Sequence, residues 1–353
     1  GGLYVPESWP ALPPDIGSTY RDAAVAIMWP YVEGSISRDD FVAAVSAAYD
    51  TFSPPPGSSP DVAPVHDLGD GVWFCELFWG PTLAFKDIAL QLVGRLFDHE
   101  LTRRGERATI VGATSGDTGS AAIDAVAGRD NIDIFILHPA GRTSEVQRRQ
   151  MTTNAADNVF NLAVEGTFDD CQDLVKAMFG DEGFRRRHRI SAVNSINWAR
   201  VMAQIVYYVT SAREVNLRLG RASGAPVDVS VPTGNFGNIF AGHAASRMGL
   251  PVGTFHVASN TNDILTRFFR TGTMSVREVV PTLSPSMDIQ ISSNLERLLF
   301  EMTGRDGPEV AALMERFRAT GEVSLESERM GWVGETFTAD RLDDAQCLSL
   351  IHI

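Results

Sequence analysis

The chain has 353 residues, 44% hydrophobic and 21% charged, enough for two domains or one large one with an ample core. Its formal net charge of −14 argues against nucleic acid or an anionic membrane as the main partner, so any anionic ligand must be held by local groups. Three widely spaced cysteines, Cys75, Cys171 and Cys347, lack metal-ligand or redox spacing and fit a reducing cytoplasm; no apolar run approaches the length of a membrane span.

Residues 1 to about 59 read as helical pieces broken by prolines, a lead-in that ends in a loop rich in Pro and Ser. An apolar, aromatic run from Val72 to Phe78 reads as a strand, Gly80-Pro81 punctuates it, and Ile88 to His99 has helical periodicity. Lys86 thus falls where strand turns into helix. Strand-like runs then alternate with helices. Ala108 to Ala113 leads through Thr114-Ser115-Gly116-Asp117-Thr118-Gly119 into a helix, and Ile132 to His138 and Val159 to Val164 precede two more. Ile190 to Val193 runs into Asn194-Ser195-Ile196-Asn197-Trp198-Ala199-Arg200, and Val227 to Val231 into Thr233-Gly234-Asn235-Phe236-Gly237-Asn238. This alternation predicts an α/β fold with mainly parallel sheets, its ligands at the carboxyl ends of strands, where all four loops are expected.

Lysine usage singles out one amine: the chain has two lysines, Lys86 and Lys176, against 28 arginines. A desolvated lysine can form a Schiff base with a carbonyl cofactor, which arginine cannot do. Lys176 sits three residues after Asp173 on an exposed helix face and is assigned no role. The glycine loop Gly234 to Asn238 follows a strand and opens a helix, which suits a phosphate, although a tight turn between strand and helix has the same spacing. Ser115 to Gly119 could cradle a carboxylate or phosphate, or cap a helix. Asn194 to Arg200 places amide and hydroxyl donors and an arginine at another helix start. The histidines share no ligand spacing, and no metal, serine-hydrolase or dinucleotide motif occurs. Lysine, phosphate cradle and anion loop together suggest pyridoxal phosphate.

GPTLAFKD, ATSGDTGSAA, NSINWAR, VPTGNFGNIFAG and MDIQISSNLERLLFE, in that order, resemble the threonine synthase family of pyridoxal-phosphate lyases of fold type II. The resemblance implies two open, mainly parallel three-layer α/β/α domains, 76–205 and 206–347, behind a helical lead-in, 1–75. It implies that Lys86 binds the cofactor covalently and later acts as base, and that Gly234, Asn235, Phe236, Gly237 and Asn238 hold the cofactor phosphate. Ser115, Asp117 and Thr118 would line the substrate carboxylate and the cofactor's phenolic side. Asn194, Ser195, Asn197 and Arg200 would bind the phosphate of O-phospho-L-homoserine, which water converts to L-threonine and phosphate. No nucleic acid, membrane or metal is implied; the expected setting is a cytoplasmic monomer or homodimer.

Two positions depart from the family pattern: Trp79 stands where histidine is common, and Asn238 where aspartate is. Residues 348–353, LSLIHI, match the translation of a transposase adapter used in sequencing libraries, which predicts a natural C-terminus beyond them. A late family motif resembling STAHPAKF, whose hydroxyl contacts the pyridine nitrogen, has no counterpart here. A related phospho-lyase releasing a 2-oxo acid, or a noncatalytic fragment that binds the cofactor, are the alternative readings.

Overall fold

Alternate side chains of the strand Ala108–Ala113 enter two different cores, as a strand buried on both faces requires. The computed structural model describes residues 2–114, 116–192, 194–222 and 224–350. On one face Ile110, Ile134 and Ile136 pack against Leu90 of the helix Lys86–Arg104 and Ile123 of the helix Asp117–Val126. On the other, Val111 and Leu137 pack against Cys171 and Val175 of the helix Phe168–Gly180. This is a helix–sheet–helix sandwich. Its sheet runs Val159–Val164, Ile132–Pro139, Ala108–Ala113, Ile190–Ser191, every neighbouring pair parallel.

The chain divides into two units, Pro13–Asn194 and Gly1–Leu12 with Ser195–Ile353. The second unit has its own parallel sheet, Phe337–Arg341, Val252–Ser259, Val227–Pro232. Strands that alternate with helices and pair in parallel are the α/β pattern expected from the sequence. The first twelve residues join this second unit through Leu12, whose N–H donates to the Met248 carbonyl at 2.8 Å, and Trp9, whose ring centre lies 6.1 Å from that of Trp198. The helices of the lead-in, Tyr20–Val32 and Arg38–Tyr49, belong to the first unit and are capped by Thr19 and Ser37.

The strand before Lys86 differs from expectation. It ends at Cys75 and pairs antiparallel with Val65–Gly69, so the lysine loop follows a hairpin, not a parallel strand. The missed signal is Gly69-Asp70-Gly71, three successive residues with positive φ (88°, 50° and 79°) that make the turn.

In the second unit His243, on the helix Gly237–Arg247, is buried between Phe240, Trp332 and Phe337; among the described residues neither ring nitrogen has a hydrogen-bond partner. Burial, helped by Arg247, pushes the imidazole down from 6.5 to about 4. Over that window the unfolded chain takes up a proton that the folded chain refuses, so the stability present above pH 6.5 falls as pH drops toward 4. Urea unfolding at about pH 7 and about pH 4.5 should show His243→Phe losing roughly 2–3 kcal/mol less than the parent chain. Equal losses would exclude His243 as the cause.

Candidate active site

Lys86 is the first residue of its helix and 9% exposed. Its neighbour Asp87 closes the preceding loop, accepting from the Thr82 N–H and hydroxyl at 2.8 Å each. Gln150 Nε2 adds a bond to the Thr82 carbonyl at 2.9 Å, and Leu83 is held at φ 59°, an uncommon conformation outside glycine. Burial raises the Asp87 carboxyl above its ordinary range in spite of the Thr82 donors. So fixed, the loop aims Lys86 Nζ at Asp117: it donates to Oδ2 at 2.9 Å and lies 4.8 Å from the Phe85 ring centre.

Asp117 opens its own helix behind Gly116 at φ 152°, where any Cβ would collide with the Gln147 carboxamide. Gln147 Nε2 in turn donates to Asp117 Oδ1, so both carboxylate oxygens are held. Thr114 Oγ1 accepts from the N–H groups of Gly116 and Gly119 at 3.0 Å each, bracing the loop from below. Thr118 follows on the first turn, half-buried. Ser115 lies outside the described residues. Asn194, exposed, is the last residue of this unit.

In the other unit Asn197 caps the helix Trp198–Arg218, its Oδ1 accepting from the Ala199 N–H at 2.9 Å. Arg200, one turn on, is 4% exposed, and among the described residues its Nε and Nη1 have no hydrogen-bond partner. Burial alone lowers this guanidinium to about 10. An uncompensated buried cation costs several kcal/mol in general, so the site favours an anion.

The glycine loop lies between the strand Val227–Pro232 and the helix Gly237–Arg247. A Cβ on Gly234 would come within 3.1 Å of Met287 Cα and 3.3 Å of the Ser286 carbonyl, so only glycine fits comfortably. Phe236 takes φ 62°, a left-handed conformation held by complete burial and by stacking on Phe269 at 5.8 Å. The Asn238 carboxamide oxygen accepts from the Tyr207 and Tyr208 hydroxyls, which ties that side chain to the helix Trp198–Arg218. The other departure, Trp79, donates from Nε1 to Glu76 Oε2 at 2.6 Å.

Taken unit by unit, these residues suit a phosphorylated carbonyl cofactor and an anionic substrate: a buried primary amine in one unit, and in the other a glycine loop at a helix start and a buried guanidinium. A cavity of about 450 Å³, lined by Thr261, Arg270, Asp340, Arg341, Asp343 and Gln346, contains none of them. Its Arg270 and Asp340 pair with each other.

Residues 59–327 match the family described as pyridoxal-phosphate dependent enzyme, and residues 1–49 that described as threonine synthase N terminus. The chain is 51% identical to threonine synthase of Pseudomonas aeruginosa, over 99% of this chain and 74% of that protein. The chain belongs to the threonine synthase family. It is 40% identical to the threonine synthase of Saccharomyces cerevisiae over 98% of its length and 71% of the yeast protein's. The crystal structure of threonine synthase from Brucella melitensis with bound pyridoxal phosphate superposes at a TM-score of 0.91 and 49% identity, over 97% of this chain and 73% of that one. The yeast enzyme's crystal structure gives 0.89 and 39%, over 98% and 72%. Membership fixes the class: a lyase of fold type II whose cofactor is pyridoxal phosphate and whose function is threonine synthesis.

The sequence motifs assign no role to Asn294, Arg297, Gln147, Thr114 or Asp87, although all but Gln147 lie within the motifs quoted above. SSNLER and EVQRRQ carry the first three, but their work is bonding to loops distant in sequence, for which residue spacing offers no signal.

Proposed function

We propose that the chain converts O-phospho-L-homoserine and water to L-threonine and phosphate. Pyridoxal phosphate, when bound, supplies an electron sink for charge developing at substrate Cα and Cβ. Lys86 would hold the cofactor through Nζ, and that same nitrogen, when free to act as base, would take the substrate Cα proton. Asp117, fixed by Gln147, orients Nζ. The Thr118 hydroxyl, with Ser115, receives the substrate carboxylate. Backbone amides of Gly234 to Asn238 bind the cofactor phosphate at the start of their helix. Arg200, with Asn194, Ser195 and Asn197, binds the substrate phosphate and draws it off as the leaving group.

Arg200 carries the reading, because a guanidinium 4% exposed with two nitrogens unpartnered among the described residues is a costly feature that a departing phosphate dianion would compensate. Among the described residues Cys75, Cys171 and Cys347 form no disulfide, in keeping with a reducing cytoplasm, and no helix is long and apolar enough to cross a membrane. We take the working form to be a monomer or homodimer, with 1–75, 76–205 and 206–347 as functional segments.

Incubating the cofactor-loaded chain with O-phospho-L-homoserine should release threonine and phosphate in equal amounts. A 2-oxo acid and ammonia in place of threonine would replace this reading with that of a phospho-lyase.

A further inference from the structure

Asn294 and Arg297 are as buried as any residues in the chain, at 0% and 1% exposure, yet both are polar and one is charged. Arg297 donates from Nε to the Tyr4 carbonyl at 2.9 Å, from Nη2 to the Ile196 carbonyl at 2.7 Å, and from Nη1 to Asn294 Oδ1. Asn294 Nδ2 then donates to the Ser195 carbonyl at 3.0 Å and the Asn235 carbonyl at 2.9 Å, and its backbone N–H to Asn235 again at 3.0 Å. Just before it, Ser292 Oγ donates to the Gly234 carbonyl at 2.7 Å. Arg200 and Arg297 are both buried arginines of one unit, but Arg297 is bonded to carbonyl oxygens where two Arg200 nitrogens have no partner among the described residues.

The four carbonyls held in this way are those of Ser195, Ile196, Gly234 and Asn235. In a trans peptide the C=O of one residue and the N–H of the next point in opposite directions. Holding those oxygens therefore turns the N–H groups of Ile196, Asn197, Asn235 and Phe236 away from the clamp. In each loop two successive amides are turned together, the arrangement from which backbone anion nests are made.

We infer that Asn294 and Arg297 are positioning residues that set the peptide planes of both anion loops, one carboxamide backing the cofactor-phosphate loop and the substrate-phosphate loop at once. The inference rests on the assignment of those loops to phosphates. Its consequence is selective: a fault in the clamp weakens ligands in proportion to the phosphate they carry.

Asn294→Asp tests this, because it removes the Nδ2 donor, keeps an acceptor for Arg297 Nη1 and gives the buried guanidinium a counter-charge that helps the variant fold. Binding of pyridoxal 5′-phosphate and of pyridoxal, which lacks the phosphate, is titrated by absorbance on the purified parent and variant, with circular dichroism confirming the fold. We expect the variant to bind pyridoxal phosphate about tenfold more weakly, with pyridoxal unchanged to within about twofold. A variant that keeps the parent's full preference for the phosphorylated form, or that loses both ligands equally, overturns the positioning role. A parent that shows no such preference overturns instead the assignment of the glycine loop to phosphate. Should Asn294→Asp not fold, Arg297→Lys, which keeps the charge but not the fork to Tyr4 and Ile196, carries the same comparison with the same expected outcome.

Discussion

Lys86→Ala is expected to lose threonine formation by about 10³-fold or more and to lose the visible absorbance that the parent acquires with pyridoxal phosphate. The effect is large because one nitrogen has two tasks, holding the cofactor and carrying the Cα proton, and no other amine replaces it. Lys176, the chain's other lysine, is exposed and paired with Asp173 at 2.8 Å, so Lys176→Ala should leave both readouts unchanged. The fold should survive Lys86→Ala, since the loop is closed by Asp87 and Thr82 and not by the amine. Retained absorbance in folded Lys86→Ala would remove Lys86 from the mechanism.

The second large effect is expected at Arg200, and it has opposite signs for stability and for catalysis. Arg200→Met keeps the length of the side chain and removes a buried charge that has no counter-ion among the described residues, so the ligand-free chain should gain about 1–4 kcal/mol. The same change should raise KM for the phosphorylated substrate by about 10²-fold or more, the cost of losing a charge-assisted contact in a buried site. Inorganic phosphate adds a simple control. It should raise the unfolding temperature of the parent by mass action and leave that of Arg200→Met unmoved. A variant destabilised without ligand, or still stabilised by phosphate, would show that Arg200 has a structural partner and not an anion to bind.

What could be read from the sequence follows from how local each signal is. Strands such as Ala108–Ala113 and Val159–Val164 are short β-rich runs bounded by turn residues, and they appear where expected because the pattern lies within each run. Lys86 stands out because arginine occupies almost every other basic position, and its place at a helix start follows from Gly80-Pro81 before it. Arg200 was visible as part of a motif, but its burial and unpartnered nitrogens depend on residues packed around it from elsewhere in the chain. The hairpin of residues 65–75 is harder to read, because its turn, Gly69-Asp70-Gly71, stands beside an aromatic run that by itself reads as a lone strand. Asn294 and Arg297 were the least legible, since the carbonyls they bind lie 59 to 293 residues away and a backbone oxygen has no sequence signature.

The central claim, that Lys86 carries the cofactor in a threonine synthase, can be tested on the chain as it stands. The purified chain is mixed with pyridoxal phosphate, reduced with borohydride to fix the cofactor on its amine, digested and read by mass spectrometry. With two lysines in the whole sequence, the assignment leaves little room for ambiguity. Label on the peptide containing Lys86, absent from that containing Lys176, is the predicted result. Label on Lys176, or on neither lysine, would contradict the account.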